Sequence, residues 1–337
     1  MKKLIALICI AITVVMAVAL TIVLILGMNG RQIFGWRSGN VRVDFFNIDG
    51  RAELVKEDSV TLGDVQSMEF LSDRSTMYIR ATDSDRMTVR QYSSSDLRQD
   101  EIFDLRKSGS RVTLDAKRQR ARIGIFVFFP EEYIEVDVPR NWLGNVDIRS
   151  SSGGVRIQDS FEWGDINIRC SSGGISTERE LKGNTIDITV SSGGVNLKDN
   201  IIGDRVFLKS TSGGIKTEGI TAGTVDLSCS SGGITIRGTI KADDVNMKTT
   251  SGGAGTQLID AGKFNIESSS GGIKITELRG QGYMRCTSGG IRVDYLIPTG
   301  SVELRASSGG IRVDVPRELR HYVSTNTSSG SATVNER

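Results

Sequence analysis

Residues 146–157 read Val-Asp-Ile-Arg-Ser-Ser-Ser-Gly-Gly-Val-Arg-Ile, and this pattern recurs through the rest of the chain. Aliphatic side chains alternate with polar ones, a Ser-Gly-Gly turn interrupts the alternation, and the alternation then resumes. A period of two is typical of a β-strand with one buried face. The stretch therefore predicts two short strands that are joined by a glycine corner.

The Ser-Gly-Gly triplet occurs nine times at intervals of 18 to 20 residues, and a degenerate tenth copy, Ser329-Gly330-Ser331, follows. A nearly constant interval of this size indicates a structural unit that stacks on copies of itself. Glycine suits a corner with positive φ or with another backbone close by. The first glycines of the nine triplets are Gly153, Gly173, Gly193, Gly213, Gly232, Gly252, Gly271, Gly289 and Gly309.

Aligned on the first glycine, each copy offers inward positions that match from one copy to the next. Apolar residues stand seven and five positions before the glycine, and a small residue stands three before it. Further mostly apolar positions follow two, four and seven to ten residues after it. One copy cannot bury these side chains alone, whereas stacked copies can. The sequence thus predicts an all-β fold, a parallel β-solenoid (β-helix) of about ten rungs, right-handed by the usual rule for parallel connections.

Three cysteines fall in the small inward position: Cys170, Cys229 and Cys286. Neighbours in this set are three rungs apart, which is roughly 14 Å at the spacing of stacked strands. A disulfide requires Cα atoms within about 7 Å. We therefore expect three free, buried thiols that pack as small hydrophobic groups, with neither a disulfide nor a metal site.

An uncharged apolar run of 23 residues, Leu4–Leu26, follows Lys2 and Lys3. A helix of about 20 apolar residues spans the hydrocarbon core of a bilayer, and a secretory signal core is shorter. The run predicts an uncleaved signal anchor with a cytoplasmic N-terminus, and a cleaved signal peptide is the alternative. The predicted organisation is a cytoplasmic tip and transmembrane anchor at 1–27, a linker at 28–40, a β-rich capping region at 41–140 and an extracytoplasmic solenoid at 141–337.

No catalytic, cofactor-binding or metal-binding residues emerge from the sequence. The chain has one histidine, His321, a net charge of only +2, and neither a phosphate loop nor a nucleotide fingerprint. Asp147, Asp187 and Asp226 occupy alternate rungs at a spacing that could suit an inverting glycosidase. The same spacing avoids stacked like charges. We predict a protein that is not an enzyme and has no nucleic acid partner, with a polysaccharide-active enzyme as the less favoured alternative.

Basic residues flank the corner on both sides and define what we call the basic ridge. Such a ridge could track an anionic polymer through repeated electrostatic contacts, or it could be a solvated face that is paired with neighbouring acids. Four residues before the first glycine stand Arg149, Arg169, Lys209, Lys248, Arg285 and Arg305, and three residues after it stand Arg156, Lys216, Lys274, Arg292 and Arg312.

The Ser-Ser-Gly-Gly turn after Val146–Arg149, together with Pro139–Leu143, resembles the bacterial adhesin-like β-strand-repeat domain, a domain of unknown function. The likeness covers roughly residues 60–334. Many members carry Ser-Gly-Asp at the turn, whereas this chain has Ser-Gly-Gly, so a role tied to that Asp does not transfer. The resemblance implies a cell-envelope protein without catalytic residues.

From these features we expect a membrane-anchored, adhesin-like surface scaffold. Its expected partners are an anionic cell-wall or surface polysaccharide, or other proteins, and its solenoid ends could associate with one another. An envelope-stress sensor or regulator is the alternative.

Overall fold

The computed structural model describes residues 52–116 and 131–337, together with the backbone of residues 34–38 and 41–45. The described residues divide into a large unit, residues 57–90, 103–116 and 134–337, and a small unit with residues 34–38, 41–45, 52–56, 91–102 and 131–133. Two short 3₁₀ helices, Gln99–Glu101 and Arg317–Tyr322, are the helical segments of the described part.

The strands before the Ser-Gly-Gly repeats are five to nine residues long. They are β1 Phe34–Ser38, β2 Val41–Phe45, β3 Glu53–Thr61, β4 Ser67–Ser72, β5 Thr76–Thr82, β6 Arg86–Ser93, β7 Asp104–Ser108, β8 Arg111–Ala116 and β9 Glu132–Pro139.

The repeats form strands that lengthen towards the middle of the stack, because consecutive segments of a rung merge into one strand of up to 16 residues. They are β10 Asn145–Ser150, β11 Val155–Ile157, β12 Phe161–Glu162, β13 Ile166–Cys170, β14 Ile175–Thr177, β15 Leu181–Val190, β16 Val195–Ser210, β17 Ile215–Cys229, β18 Ile234–Thr249, β19 Ala254–Ser268, β20 Ile273–Cys286, β21 Ile291–Ala306, β22 Ile311–Val315, β23 Val323–Thr327 and β24 Ala332–Glu336.

Equivalent residues of successive repeats pair in parallel register along the stack. Ile148 lies opposite Ile168, and Ile168 lies opposite Ile188 in the next rung. All three side chains are fully buried, as are most of their counterparts in the other inward columns, whereas the last rung has partly buried or exposed residues such as Ala332 and Val334. The prediction of a parallel β-solenoid of about ten rungs is confirmed, since each rung shields the apolar side chains of its neighbours.

The parallel stack also includes a rung from the region that the sequence assigned to the cap. Strand β4 pairs with β10, so that Phe70 lies opposite Ile148, and β5 pairs with β11, so that Met77 lies opposite Val155. The corner of this rung has Ser75 where the next rung has Gly153. On its other side, β4 pairs in parallel with β8, and β8 pairs with β7 in an antiparallel hairpin.

An ion-pair network stabilises this first part of the large unit. The guanidinium of Arg80 contacts Glu135 at 2.8 Å and Asp137 at 2.9 Å. Arg90 contacts the second oxygen of Asp137 at 2.5 Å and Glu57 at 2.6 Å. Hydrogen bonds to Asp137 and Glu57 raise the pKa of Arg90 above its ordinary value.

The small unit contains the antiparallel pair β1 and β2. Its buried Gln91 donates a hydrogen bond from Nε2 to the carbonyl of Glu101 at 2.9 Å. The rings of Tyr92 and Tyr133 stack with their centroids 4.8 Å apart.

The predicted membrane anchor, residues 4–26, lies outside the described residues, as does the linker apart from the backbone of β1. Within the described ranges, none of the helices has the length and apolar character needed to span a bilayer.

Candidate binding surface along the glycine corner

The first glycines of the triplets lie so close to one another that no side chain fits between them. A Cβ atom built on Gly193 would lie 2.2 Å from the carbonyl oxygen of Gly173, and one on Gly232 would lie 2.4 Å from that of Gly213. None of these glycines has a positive φ. Of the two reasons for glycine that the sequence left open, close backbone approach is the one that applies at this corner.

The corners are hydrogen-bonded to one another as regularly as the strands. The amide of Ser172 donates to the carbonyl of Ser151 at 2.8 Å, and that of Val155 donates to the carbonyl of Gly174 at 3.0 Å. The same bonds recur from rung to rung. The backbone of the corner is therefore paired along the stack. The stacked glycine pairs form a strip without side chains, which we call the glycine strip.

The small inward column supplies hydrogen-bond donors to the corner. The Ser210 hydroxyl donates to the carbonyl of Gly213 at 2.7 Å and lies 3.1 Å from that of Gly193. The Cys229 thiol donates to the carbonyl of Gly213 at 3.0 Å. Cys170 and Cys286 donate in the same way to the first glycine of the preceding rung. The cysteines therefore act as donors as well as small hydrophobic groups, a role that sequence reasoning missed.

The three described cysteines are free and buried. Burial raises the pKa of the Cys170 thiol, and the same cause raises the pKa of Cys229 and of Cys286. Among the described residues, no group of three or more His, Cys, Asp or Glu side chains could hold a metal ion. Burial therefore disfavours the thiolate form, which is the nucleophilic form of cysteine.

A groove runs along the side of the corner that follows the glycine pair, and we call it the corner groove. It has a volume of about 800 Å³ over the first rungs, and a second stretch of about 420 Å³ lies near the last rungs. Second glycines such as Gly174 and Gly310 contribute to its lining, so the groove exists because these positions lack side chains. Arg156, Lys216 and Arg312 also line it.

The structure divides the predicted basic ridge into two in-register columns, one on each side of the corner. The column after the corner follows β11 and its equivalents, with Arg292 opposite Arg312. The column before the corner follows β10 and its equivalents, with Arg149 opposite Arg169. Four residues of the column after the corner line the corner groove, and no residue of the column before the corner does. The eleven basic residues therefore do not form a single site.

The two columns also differ in how far neighbouring acids neutralise them. Before the corner, four of the six basic residues form ion pairs; the partners are Arg149 with Asp147, Arg169 with Asp187, Lys248 with Glu267 and Arg305 with Glu303. After the corner, Arg292 pairs with Asp294 at 2.6 Å. Within the part of the chain that the structure describes, Arg156, Lys216, Lys274 and Arg312 have no acidic partner.

Three basic residues of the column after the corner stack on consecutive rungs. Lys274 lies opposite Arg292, and Arg292 lies opposite Arg312. Like charges directly opposite each other on paired strands destabilise a sheet. Among the residues that the structure describes, only Arg292 of the three has a carboxylate partner. A stack of this kind, with two cations that no acid neutralises in the described part of the chain, favours an anion as a bound partner.

The three aspartates considered as a glycosidase set are engaged by neighbouring side chains. Asp147 pairs with Arg149 at 2.5 Å, and Asp187 accepts a hydrogen bond from Thr189 at 3.2 Å besides its contact with Arg169. Asp226 accepts a hydrogen bond from Asn246 at 3.2 Å. These contacts fit the interpretation that alternate spacing limits repulsion between carboxylates.

Several solved bacterial structures resemble the chain. An adhesin candidate from Parabacteroides merdae is 13% identical, with 89% of this chain and all of that chain covered at a TM-score of 0.40. One from Bacteroides fragilis is 13% identical, with coverages of 86% and 99% and a TM-score of 0.30. A lipid-binding candidate from Parabacteroides distasonis is 12% identical, with coverages of 84% and 96% and a TM-score of 0.33.

No functionally curated protein has a sequence that matches this chain. The profile of the Toastrack DUF4097 family matches residues 65–255 and 204–337, and so extends over most of the sequence, including the rung that precedes the first glycine corner. The chain belongs to the Toastrack DUF4097 family.

Proposed function

We propose that this protein is a non-enzymatic binding scaffold of the bacterial cell envelope, and that its corner groove binds an anionic polymer. The observation that carries the proposal is a column of four basic residues that have no acidic partner in the described residues: Arg156, Lys216, Lys274 and Arg312. Three of them, Arg156, Lys216 and Arg312, line the corner groove beside the glycines. A flexible polyanion could lie on the glycine strip and contact successive rungs.

The repeat geometry suits a polymer better than a small anion. Adjacent rungs are about 4.8 Å apart, so Lys274, Arg292 and Arg312 present charges along a line of roughly 10 Å. A polymer with regularly spaced phosphate, sulfate or carboxylate groups could contact several of them at once. Each contact is weak in water, but linked contacts add through their high effective concentration.

The absence of catalysis is part of the proposal, and the described contacts support it. Asp147, Asp187 and Asp226 are held by neighbouring side chains. The ring of His321 lies against that of Tyr322, with centroids 4.0 Å apart. These contacts point to structural roles, and a screen of acidic polysaccharides for cleavage would overturn the proposal if it found turnover.

The cellular location also belongs to the proposal. The apolar run Leu4–Leu26 would anchor the chain as a single-pass membrane protein, with the solenoid outside the cytoplasm. Protease added to intact spheroplasts should then degrade the solenoid and leave cytoplasmic proteins intact. Protection of the solenoid until the cells are lysed would contradict this location.

The binding proposal is tested with the full-length chain in detergent and two probes, dextran sulfate and uncharged dextran of matched length. We expect the chain to bind dextran sulfate and not dextran. Affinity should fall steeply as salt shortens the Debye length from about 30 Å at 0.01 M to about 10 Å at 0.1 M. Equal retention of both probes, or no retention of dextran sulfate at low salt, would refute the proposal.

Self-association through the solenoid ends stays a separate prediction, which sedimentation at several protein concentrations tests.

A further inference from the structure

A second groove lies on the strand face that precedes the corner, and we call it the Tyr283 groove. Its volume is about 580 Å³, within the range of roughly 300–1,000 Å³ that is typical of small-molecule sites. Its lining comes from the rungs around β17 to β21 and includes Asp226, Phe264 and Tyr283. It shares no lining residue with the corner groove.

The groove includes residues of the rung at which the repeat is shortest. The interval between Gly271 and Gly289 is 18 residues, the shortest of the series. In this rung Gly282 lies opposite Phe264, where the next rung has Val302. Gly282 has a φ of 149°, and a Cβ atom there would lie 1.9 Å from the carbonyl oxygen of Phe264. Glycine is therefore required at this position, which belongs to the inward column between Phe264 and Val302.

A relay of amide and carboxylate groups forms one wall of this groove. Asn265 donates from Nδ2 to Oδ1 of Asn246 at 3.3 Å, and Asn246 donates from Nδ2 to Oδ2 of Asp226 at 3.2 Å. The relay fixes the planes of three polar groups one rung apart, roughly 4.8 Å. Each amide nitrogen carries two hydrogens and each oxygen has two lone pairs, so groups remain for a ligand with hydroxyls.

Tyr283 continues the same column immediately beyond Asn265. Its side chain is half-buried, and the guanidinium of Arg305 lies 5.8 Å from the ring centroid. An aromatic ring at the end of a row of planar polar groups offers an apolar surface beside hydrogen-bonding partners. The C–H face of a sugar ring can pack on such a surface while its hydroxyls reach the amides.

The charges of the groove distinguish its ligand from that of the corner groove. The lining contains the acids Asp226 and Asp244 and the base Lys263, and Asp244 lies opposite Lys263 on the ladder. An anionic ligand would meet the carboxylate of Asp226 at the relay. A hydroxyl-rich ligand without charge meets no such repulsion.

From this arrangement we infer that the Tyr283 groove binds an uncharged oligosaccharide, with Asn246, Asn265 and Asp226 bonding its hydroxyls and Tyr283 packing against a sugar ring. This site is independent of the polyanion binding proposed above. Its binding should not depend on salt, because no net charge is neutralised.

The test uses isothermal titration of the full-length chain with uncharged hexasaccharides: maltohexaose, cellohexaose, laminarihexaose and chitohexaose in its N-acetylated form. We expect at least one to bind. Tyr283→Ala should weaken that binding about tenfold or more, as loss of an aromatic anchor typically does, and Asn265→Leu should also weaken it. Tyr283→Phe should retain the affinity, because it keeps the ring. Tyr295→Ala removes an exposed tyrosine outside this groove and should have no effect.

No heat of binding with any of the four sugars would overturn the inference. An equal loss of affinity in Tyr283→Ala and Tyr295→Ala would also overturn it. The same holds if an uncharged peptide, titrated in the same way, binds and the sugars do not. Asn265 is exposed, so Asn265→Leu probes the site even if Tyr283→Ala lowers folding. Neutralising Lys274 and Arg312 should leave sugar binding unchanged, which separates failure here from failure of the polyanion proposal.

Discussion

A Cβ atom on Gly173 would lie 2.2 Å from the carbonyl oxygen of Gly153, closer than side-chain carbons approach backbone atoms in proteins. The same relationship joins the first glycines of the following rungs, with distances to a backbone atom of 2.1 to 2.6 Å. Because the clashing atoms belong to a hydrogen-bonded corner, neither partner can move alone. The glycine strip is thus a packing requirement of the solenoid as well as the floor of the corner groove.

We expect Gly193→Ala to destabilise the protein by about 2–3 kcal/mol, near the upper end of the usual cost of overpacking. The added methyl group would press on the corner of the preceding rung and force the stack apart. Gly255→Ala is the matched control, since its nearest non-neighbouring atom is 3.8 Å away and it lies in a strand. Urea unfolding of both variants gives the free energies, and equal stability of the two would contradict the packing argument.

The hydroxyl of Ser210 should stabilise the corner through the hydrogen bond that it donates to the carbonyl of Gly213. Ser210→Ala removes the hydroxyl that bonds the carbonyls of Gly193 and Gly213, of which the second keeps the Cys229 thiol as a donor, and we expect a loss of about 1 kcal/mol of unfolding free energy. Ser210→Cys should lose much less, because Cys229 already fills this role one rung further along. A cysteine variant as unstable as the alanine variant would show that shape, and not hydrogen bonding, decides the position.

Buried thiols predict a fall in stability at alkaline pH. The folded-state pKa of Cys170, Cys229 and Cys286 is raised by burial, so the folded chain holds these protons more tightly than the unfolded chain. Their contribution is complete below the unfolded pKa of about 8.5 and is lost as pH rises through the folded pKa. The wild type should therefore lose more unfolding free energy above about pH 8.5 than the triple Cys→Ser variant. Parallel pH profiles for the two proteins would contradict this.

Much of the solenoid could be predicted from the sequence because burial and spacing coincide. Inward positions such as Ile168 and Leu227 follow a period of two within strands and a nearly constant interval between rungs. The rung that contains Phe70 and Met77 has the same spacing around Ser75 as the repeats have around Gly153. The sequence predicts a cap for this rung because the glycine signal is absent, although the apolar pattern is present.

The candidate sites were less predictable, because they depend on side-chain contacts between rungs. When the repeats of the chain are aligned with one another, the eleven basic residues fall at two positions. The repeat pattern does not show that Glu303 neutralises Arg305, whereas Arg312 has no acidic partner in the described chain. The Tyr283 groove had a signal in the 18-residue interval and in Gly282, where a bulky residue stands in most other copies. That signal indicates a defect in the stack, and only the contacts of Asn246 and Asn265 suggest a ligand.

The last prediction compares two triple variants that remove the same charge from opposite sides of the corner. Lys216→Gln, Lys274→Gln and Arg312→Gln remove cations that have no acidic partner in the described part. Lys216 and Arg312 line the corner groove and Lys274 belongs to the same column, so dextran sulfate should lose contacts in and beside the groove. The matched variant replaces Arg149, Arg169 and Arg305 by Gln, and these three already pair with acids. Both lower the net charge by three, so a general effect of charge would weaken binding equally. We expect the first variant to bind dextran sulfate at least about tenfold more weakly than the second at low salt. Its slope of log affinity against log salt should also be smaller, because a complex with fewer ionic contacts releases fewer counterions. Equal losses would mean that the polymer senses the overall field of the solenoid, and the corner groove would then have no specific part in binding.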